Sequence, residues 1–266
     1  MKNPNFVTES ISSAAKPDRL SVFFETFELS VTVVPPRNGV NLYVTPGKEG
    51  GGPGAIVFSA RGNPARPPVV LVCAAVDFGG RINPLMNAMP DTVVVRLDEV
   101  PALRDTTDAF VAEAMHRRCG RHVALNRLGE VMVLMILRSA MERGGTGPGL
   151  LAGLSHPALQ KVLVALHDGP GRPWPIEELA LIAGMSRSRF MTVFREVVGT
   201  TPNAYLRSWR LSLGYRRLAR GDRVKAVARE VGFTSAAGFS RAYSREFGHP
   251  PKLERRLASL EKPAPR

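Results

Sequence analysis

Arginine and hydroxyl side chains recur at helical spacing in two short segments of the C-terminal half. The first segment runs from Ser186 to Arg195 and the second from Ser235 to Arg245. Guanidinium and hydroxyl groups donate hydrogen bonds to phosphate oxygens and to base edges. If both segments are helical, many of these groups share one face of each helix, from which they could contact a polyanion.

The basic residues of the chain are concentrated around these segments. The 266 residues include 36 Lys or Arg and 23 Asp or Glu, which gives a formal net charge of +13. Residues 150–266 hold 20 basic and 9 acidic side chains, whereas residues 1–149 hold 16 and 14. Because the first half is nearly neutral, the excess is not a general bias toward arginine. It predicts a polyanionic partner for the second half.

An internal repeat places both segments in equivalent units. Three residues are matched 48 residues later, and four further residues are matched 49 residues later. The first set is Ala180, Gly184 and Met185, matched by Ala228, Gly232 and Phe233. The second set is Phe190, Phe194, Gly199 and Pro202, matched by Phe239, Tyr243, Gly248 and Pro251. Each unit is predicted to be a short helix, a tight turn at a glycine, and a longer helix that begins at a serine. This is the helix-turn-helix plan.

Apolar residues spaced i, i+4, i+7 in the first unit and i, i+4, i+8 in the second predict the buried face of each longer helix. These residues are Phe190, Phe194 and Val197 in the first unit and Phe239, Tyr243 and Phe247 in the second. A connecting helix of about 19 residues, roughly 28 Å long, separates the units, and successive major-groove faces lie about 34 Å apart. An all-helical domain that binds another protein is the alternative interpretation.

The N-terminal half follows a different pattern. Five apolar runs (31–34, 41–44, 55–59, 69–76 and 92–97) are separated by Pro and Gly, which predicts a β-sandwich or barrel. Residues 100–141 then follow a helical period. A stripe containing Met132 and Met135 is expected to pack on the β-domain, and a dimer helix is the alternative.

The predicted class is therefore α+β, with an all-α C-terminal part. We expect a β-domain with two trailing helices at 18–145, a linker at 146–154 and a helical domain at 155–258. The remaining residues, 1–17 and 259–266, are predicted to be tails.

Patterns required for enzyme chemistry are missing from the sequence. The five histidines, at 116, 122, 156, 167 and 249, all follow Leu97, so no metal site is expected in the β-domain. Phosphate-binding loop, nucleophile elbow and paired CxxC motifs are lacking, so neither an enzyme nor a cofactor is predicted. No signal peptide is visible, and the longest apolar run, 131–137, is shorter than the roughly 20 residues of a membrane span. These features predict a cytoplasmic protein.

Two cysteines are too few for a disulfide framework. Cys73 lies in an apolar run, which predicts a buried strand residue. Cys119 lies near three arginines, which could favour the thiolate or simply mark a solvated helix end. Redox sensing by Cys73 or Cys119 is the alternative hypothesis.

Four segments of the C-terminal half resemble the DNA-binding domain of AraC/XylS regulators. They are AGMSRSRF from Ala183, FREVVGTTPNAYL from Phe194, VAREVGF from Val227 and FSRAYSREFGHPP from Phe239. The N-terminal half more loosely resembles the cupin-type sensor domain of one branch of that family. The segments that carry this second likeness are LVCAAVDFGG from Leu71, NPLMNAMP from Asn83 and CGRHVALNRLGEVMVLMILR from Cys119.

The resemblance implies a transcription activator controlled through its N-terminal domain. The implied partners are double-stranded DNA, RNA polymerase, a small-molecule effector and a second copy of the chain. The rival function is a protein that binds DNA through phosphate charge alone, with an N-terminal half that binds nothing.

The resemblance also assigns roles to individual residues. Base contacts would come from Ser188, Met191, Thr192, Ala237, Gly238 and Arg241. Backbone contacts would come from Ser186, Arg187, Arg189, Arg195, Ser235, Ser240 and Arg245. Family members often have long polar residues where this chain has Met191, Ala237 and Gly238, which cannot form two hydrogen bonds to a base. Arg241 is therefore the strongest candidate to bind a guanine.

Overall fold

The computed structural model describes residues 20–35, 39–47, 51–60, 64–79, 83–85, 89, 91–143 and 147–254. The tails predicted at 1–17 and 259–266 lie outside these residues. The α+β class is confirmed, because a five-stranded antiparallel sheet with helices precedes a helical C-terminal part. Within the described residues, no helix combines the length and apolarity needed to cross a membrane.

Each of the five predicted apolar runs forms a strand of one sheet. The strands are β1 Ser30–Val33, β2 Leu42–Pro46, β3 Pro53–Phe58, β4 Val72–Asp77 and β5 Val93–Arg96. Their order is β1-β4-β2-β3-β5, and every neighbouring pair is antiparallel. The β1–β4 register runs from Ser30 opposite Asp77 to Val33 opposite Ala74.

Helices cover one face of this sheet. They are α2 Pro101–Met115 and α3 Arg121–Glu142, whereas α1, Ser21–Thr26, precedes β1. Leu42 and Val44 point into the main core with these helices, whereas Tyr43 belongs to a smaller cluster on the other face, as strand alternation requires. Asn126 of α3 accepts a hydrogen bond from the N–H of Val31 at 2.8 Å. The predicted core position of Met132 is confirmed, because its side chain is fully buried.

Two short helices lie where the sequence predicts none. The first, α1 Ser21–Thr26, precedes the first strand, and its Phe23 is buried. The second, α4 Leu150–Ser155, overlaps the predicted linker at 146–154, so that prediction is wrong for its second part. Composition misled there, because the glycine-rich stretch ends at Gly149 and the apolar residues after it, including Leu151 and Leu154, are fully buried.

Six further helices and a 3₁₀ turn complete the C-terminal part. They are α5 Leu159–Asp168, α6 Ile176–Ile182, α7 Arg187–Val198, α8 Pro202–Ala219, α9 Val224–Glu230, α10 Ala236–Phe247 and the turn Pro251–Leu253. Apolar side chains from α4 to α7 and the first half of α8 join the main core of the sheet domain. The second half of α8 forms a separate core with α9 and α10.

Candidate nucleic-acid interface

The first helix-turn-helix unit consists of α6, a turn at Gly184 and α7. Gly184 has φ +65°, a conformation that glycine adopts more readily than other residues, and the N–H of Met185 donates to the carbonyl of Ala180 at 2.9 Å. Ser186 is the N-cap of α7 and accepts a hydrogen bond from the N–H of Arg189 at 3.4 Å. The helix ends at Gly199, which has φ +78°.

The second unit repeats each of these features in α9 and α10. Gly232 in the turn has φ +84°, and the N–H of Phe233 donates to the carbonyl of Ala228 at 2.8 Å. Ser235 accepts a hydrogen bond from the N–H of Gly238 at 3.0 Å, and Gly248 ends α10 with φ +76°. The sequence repeat is therefore a structural repeat, because the turns, N-caps and C-caps coincide.

The buried faces of the two longer helices agree with the predicted spacing in most positions. Phe190 and Phe194 of α7 are fully buried, as are Phe239 and Tyr243 of α10. At the end of α7, however, Val198 is buried and Val197 is only half-buried. The prediction of Val197 as a core residue is thus only partly met, since the helix turns Val198 further into the core.

Most of the residues proposed to contact DNA are accessible to it. On α7 and at its N-cap, the exposed ones are Ser186, Arg187, Ser188, Arg189, Thr192 and Arg195. On α10 and at its N-cap they are Ser235, Ala237, Arg241 and Arg245. Met191, Gly238 and Ser240 are half-buried, and Met191 packs partly against the main core. Each unit thus presents the N-terminal half of its longer helix as a polar surface.

Most of the arginines on these helices are available to bind phosphate. Arg187 is the exception, because its Nη1 lies 2.9 Å from Oε1 of Glu177 on α6. Within the described residues, no ion pair involves Arg189, Arg195, Arg241 or Arg245. Sequence reasoning did not single out six exposed cations on and beside α8 and α9. These are Arg207, Arg217, Arg220, Arg223, Lys225 and Arg229. Arg217 and Arg220 are paired with acidic side chains.

Helix α8 fixes the distance between the two units. It has 18 residues, close to the predicted 19, and is therefore about 27 Å long. Arg210 of α8 also holds the loop before α6, since its Nε donates to the carbonyl of Pro170 at 2.6 Å and its Nη2 to that of Arg172 at 2.8 Å. This loop lies against Gly232, and Arg172 at its end is paired with Glu178 of α6, so both units contact the same segment.

An aromatic cluster joins the N-terminal part to α5 and α8. The ring of Phe23 lies 4.9 Å from that of His167 and 5.2 Å from that of Trp209, measured between centroids. His167 shares a hydrogen bond of 2.6 Å with the hydroxyl of Tyr205, and burial lowers the pKa of His167 to about 3. The imidazole is therefore neutral at physiological pH.

Polar contacts surround this cluster on the second half of α8. The guanidinium of Arg216 lies 5.5 Å from the ring centroid of Phe27, and Nη2 of Arg220 lies 3.9 Å from Oε1 of Glu28. Arg216 also approaches Gly79, where an added Cβ would lie 2.7 Å from its Nη1. The segments that precede β1 and follow β4 thus both contact α8.

The two cysteines are free and lie in different environments. Cys73 is buried on β4, and this burial raises the pKa of its thiol, which disfavours the reactive thiolate. Cys119 is exposed. The redox hypothesis stays a prediction for both. Among the described residues, no group of three or more His, Cys, Asp or Glu side chains is placed to bind a metal ion.

Comparisons with known proteins match both halves of the chain. A helix-turn-helix domain family matches residues 179–256, and a cupin family matches residues 28–142. A putative AraC-like transcription regulator from Streptomyces lividans is 33% identical over 188 residues, which are 69% of this chain and 62% of the relative. The transcriptional regulator AlkR from Acinetobacter baylyi is 32% identical over 175 residues, 64% of this chain and 57% of the relative. The chain belongs to the AraC family.

In this AraC-family chain, the matched cupin region begins at residue 28, just before β1, and stops at the end of α3. The matched helix-turn-helix region begins inside α6 and ends just after the 3₁₀ turn, so it contains both longer helices. The chain spans less than two thirds of the length of the two relatives named above. The solved DNA-binding domain of AdpA, in complex with a target DNA, is 29% identical. It covers 41% of this chain and 98% of its own length, with a TM-score of 0.38.

Proposed function

We propose that this AraC-family protein regulates transcription by binding a specific double-stranded DNA sequence, and that it acts as an activator controlled through its N-terminal domain. The observation that carries the proposal is the pair of equivalent helix-turn-helix units on one rigid helix. Each unit exposes the N-terminal half of its longer helix, and the α8 helix that joins them is about 27 Å long. Because successive major-groove faces lie about 34 Å apart, α7 and α10 can enter neighbouring grooves of one duplex.

Specific binding requires groups that distinguish bases as well as groups that bind phosphate. In α10, Arg241 is exposed and can donate two hydrogen bonds to a guanine. In α7, Ser188 and Thr192 are exposed, and Met191 is partly accessible to a thymine methyl group. Ala237 and Gly238 would let the backbone of α10 approach the base edges closely. The seven backbone-contacting residues predicted from the resemblance surround these positions.

Control through the N-terminal domain is supported by the contacts of α1 with α8. In this proposal residues 18–145 form the controlling domain and residues 155–258 the DNA-binding domain. A change in the sheet domain would reach α8 through Phe23, Phe27 and Glu28, which contact Trp209, Arg216 and Arg220. Val123 and Val131 of α3 are exposed apolar residues that suit contact with a second copy, and RNA polymerase is the expected partner at a promoter.

The test is selection of bound sequences from random double-stranded DNA by the full-length protein at physiological salt. The expected result is a motif of two short blocks about one helical turn apart, preferred over random DNA by about 10³-fold or more. Binding without an enriched motif, lost steeply as salt rises, would instead identify a protein that holds DNA through phosphate charge alone.

A further inference from the structure

A cleft of about 480 Å³ lies at one end of the β1–β4 strand pair. Val33 and Val34 at the end of β1, Cys73 near the start of β4, and Met115 at the end of α2 contribute to its walls. All the residues that line it belong to the described part of the chain. The cleft is separate from both helix-turn-helix units.

Apart from Arg66, the side chains that line the cleft are apolar. Val69 and Met115 line it and are 60% and 59% exposed, which places them among the few large apolar side chains that the described surface leaves open to water. Cys73 connects the cleft to the small cluster that it forms with Val40 and Tyr43 on the sheet face opposite the helices. Exposed apolar walls over a packed base are typical of a site that binds an apolar ligand.

One positive charge accompanies these apolar walls. Arg66 is exposed, and among the residues that line the cleft it is the charged one. The carbonyl groups at the end of α2 carry a partial negative charge that could offset the charge of Arg66. Two of them, those of Glu113 and Ala114, already accept hydrogen bonds from the guanidinium of Arg121, at 3.2 and 2.8 Å. The cleft therefore combines apolar contact with a single cation.

We propose that this cleft binds a small apolar molecule with one anionic group and that it is the effector site of the N-terminal domain. The assignment of the cleft as the effector site rests on the proposed function. The antiparallel β1–β4 pair connects the cleft to α8. At its far end Ser30 lies opposite Asp77. Phe27 lies three residues before Ser30 and Gly79 two residues after Asp77, and both approach Arg216 of α8. The four paired residues span about 13 Å at 3.3 Å per residue.

The experiment measures binding of 2-naphthoate and of neutral 2-naphthylmethanol to the full-length protein by isothermal titration calorimetry. Naphthoate is expected to bind at one site, about tenfold more tightly than the alcohol, because one charge-assisted hydrogen bond to Arg66 distinguishes them. Arg66→Gln should abolish that preference, whereas Arg138→Gln, which removes an exposed cation from α3, should retain it. Met115→Glu should weaken naphthoate binding about tenfold, and Val94→Glu, at a similarly exposed apolar position outside the cleft, should not.

Absence of saturable naphthoate binding overturns the proposal. Binding that resists both Arg66→Gln and Met115→Glu also overturns it, because the ligand would then lie elsewhere. Binding of the selected DNA by the unliganded protein is measured in parallel. If DNA specificity is lacking but naphthoate binds as expected, the regulatory function fails and the ligand site stands. If DNA specificity is present and naphthoate does not bind, the ligand site alone fails.

Discussion

Alanine substitution at the two turn glycines should separate the cost of backbone conformation from the cost of close packing. Gly184 and Gly232 occupy the same place in the two units and both have positive φ, +65° and +84°. An alanine in this conformation lowers the free energy of unfolding by about 1–2 kcal/mol, whatever surrounds it. At Gly184 nothing lies within 4 Å of the added Cβ, so we expect Gly184→Ala to cost only this amount.

Gly232→Ala should cost considerably more. Its Cβ would lie 2.8 Å from the carbonyl oxygen of Gly171 and 2.9 Å from both the Cα of Gly171 and Nη2 of Arg210. The loop containing Gly171 cannot move away freely, because Arg210 donates hydrogen bonds to the carbonyls of Pro170 and Arg172. Weakening one such bond from a charged donor costs about 1.5–3 kcal/mol. The expected total is about 3–5 kcal/mol, roughly 2 kcal/mol more than for Gly184→Ala.

Urea denaturation and thermal melting of the two full-length variants test this difference. About 2 kcal/mol corresponds to roughly 4–8 °C between their melting temperatures for a chain of this size. Gly232→Ala should also weaken DNA binding more, because the displaced loop lies between the units. Equal melting temperatures for the two variants would refute the packing of the 169–172 loop against the second turn.

Three further predictions concern DNA contact, domain coupling and pH. Arg241→Ala should cost about 1–3 kcal/mol on the selected DNA and relax the preference at one base pair in a repeat selection. Arg195→Ala should instead weaken binding to all DNA sequences alike. In filter-binding assays it should lower the slope of log binding constant against log salt concentration by about one. Phe27→Leu, which removes the ring beneath Arg216, should leave naphthoate affinity unchanged and abolish any effect of naphthoate on DNA affinity, measured by fluorescence anisotropy. Burial lowers the pKa of His167 from 6.5 to about 3, so the unfolded chain binds one more proton between these values. Stability should therefore fall as pH drops through this window, and His167→Phe should flatten the dependence in urea titrations at pH 7 and pH 5.

The helix-turn-helix units were predictable because local chemistry determines them. A serine N-cap, a glycine C-cap and aromatic residues four positions apart each specify structure over a few residues, as in α7 with Ser186, Gly199 and Phe190. The repeat then gave the same prediction twice. The residues proposed to contact DNA come from the family resemblance, and most of them are exposed, unlike the aromatic side chains of the same helices. Their roles at individual bases stay predictions, since sequence spacing fixes a face of the helix and not the DNA sequence bound there.

The short helices α1 and α4 were not predictable in the same way. Each has six residues, too few for helix propensity to stabilise it, so tertiary packing must do so. Phe23 lies in a segment that looks like strand, and its partners His167 and Trp209 are far away in sequence. Contacts of this kind depend on how the two domains meet, which no local pattern records. The same holds for the cleft at Met115 and Val69.

The distribution of apolar cores determines which DNA-binding unit the N-terminal domain can influence. The first unit is fused to that domain, because Phe190, Phe194 and the sheet residues belong to one core, and separating them would expose a large apolar area. The second unit has a core of its own around Val227, Phe239 and Tyr243. Its position therefore depends mainly on α8, which carries Trp209 in the shared core and Leu218 in the second. Because α8 is about 27 Å long, a tilt of about 5° at the shared core would move its far end by roughly 2 Å. Base contacts tolerate less displacement than that, so under the proposed function a small change at α1 would suffice to alter the fit of α10 to DNA.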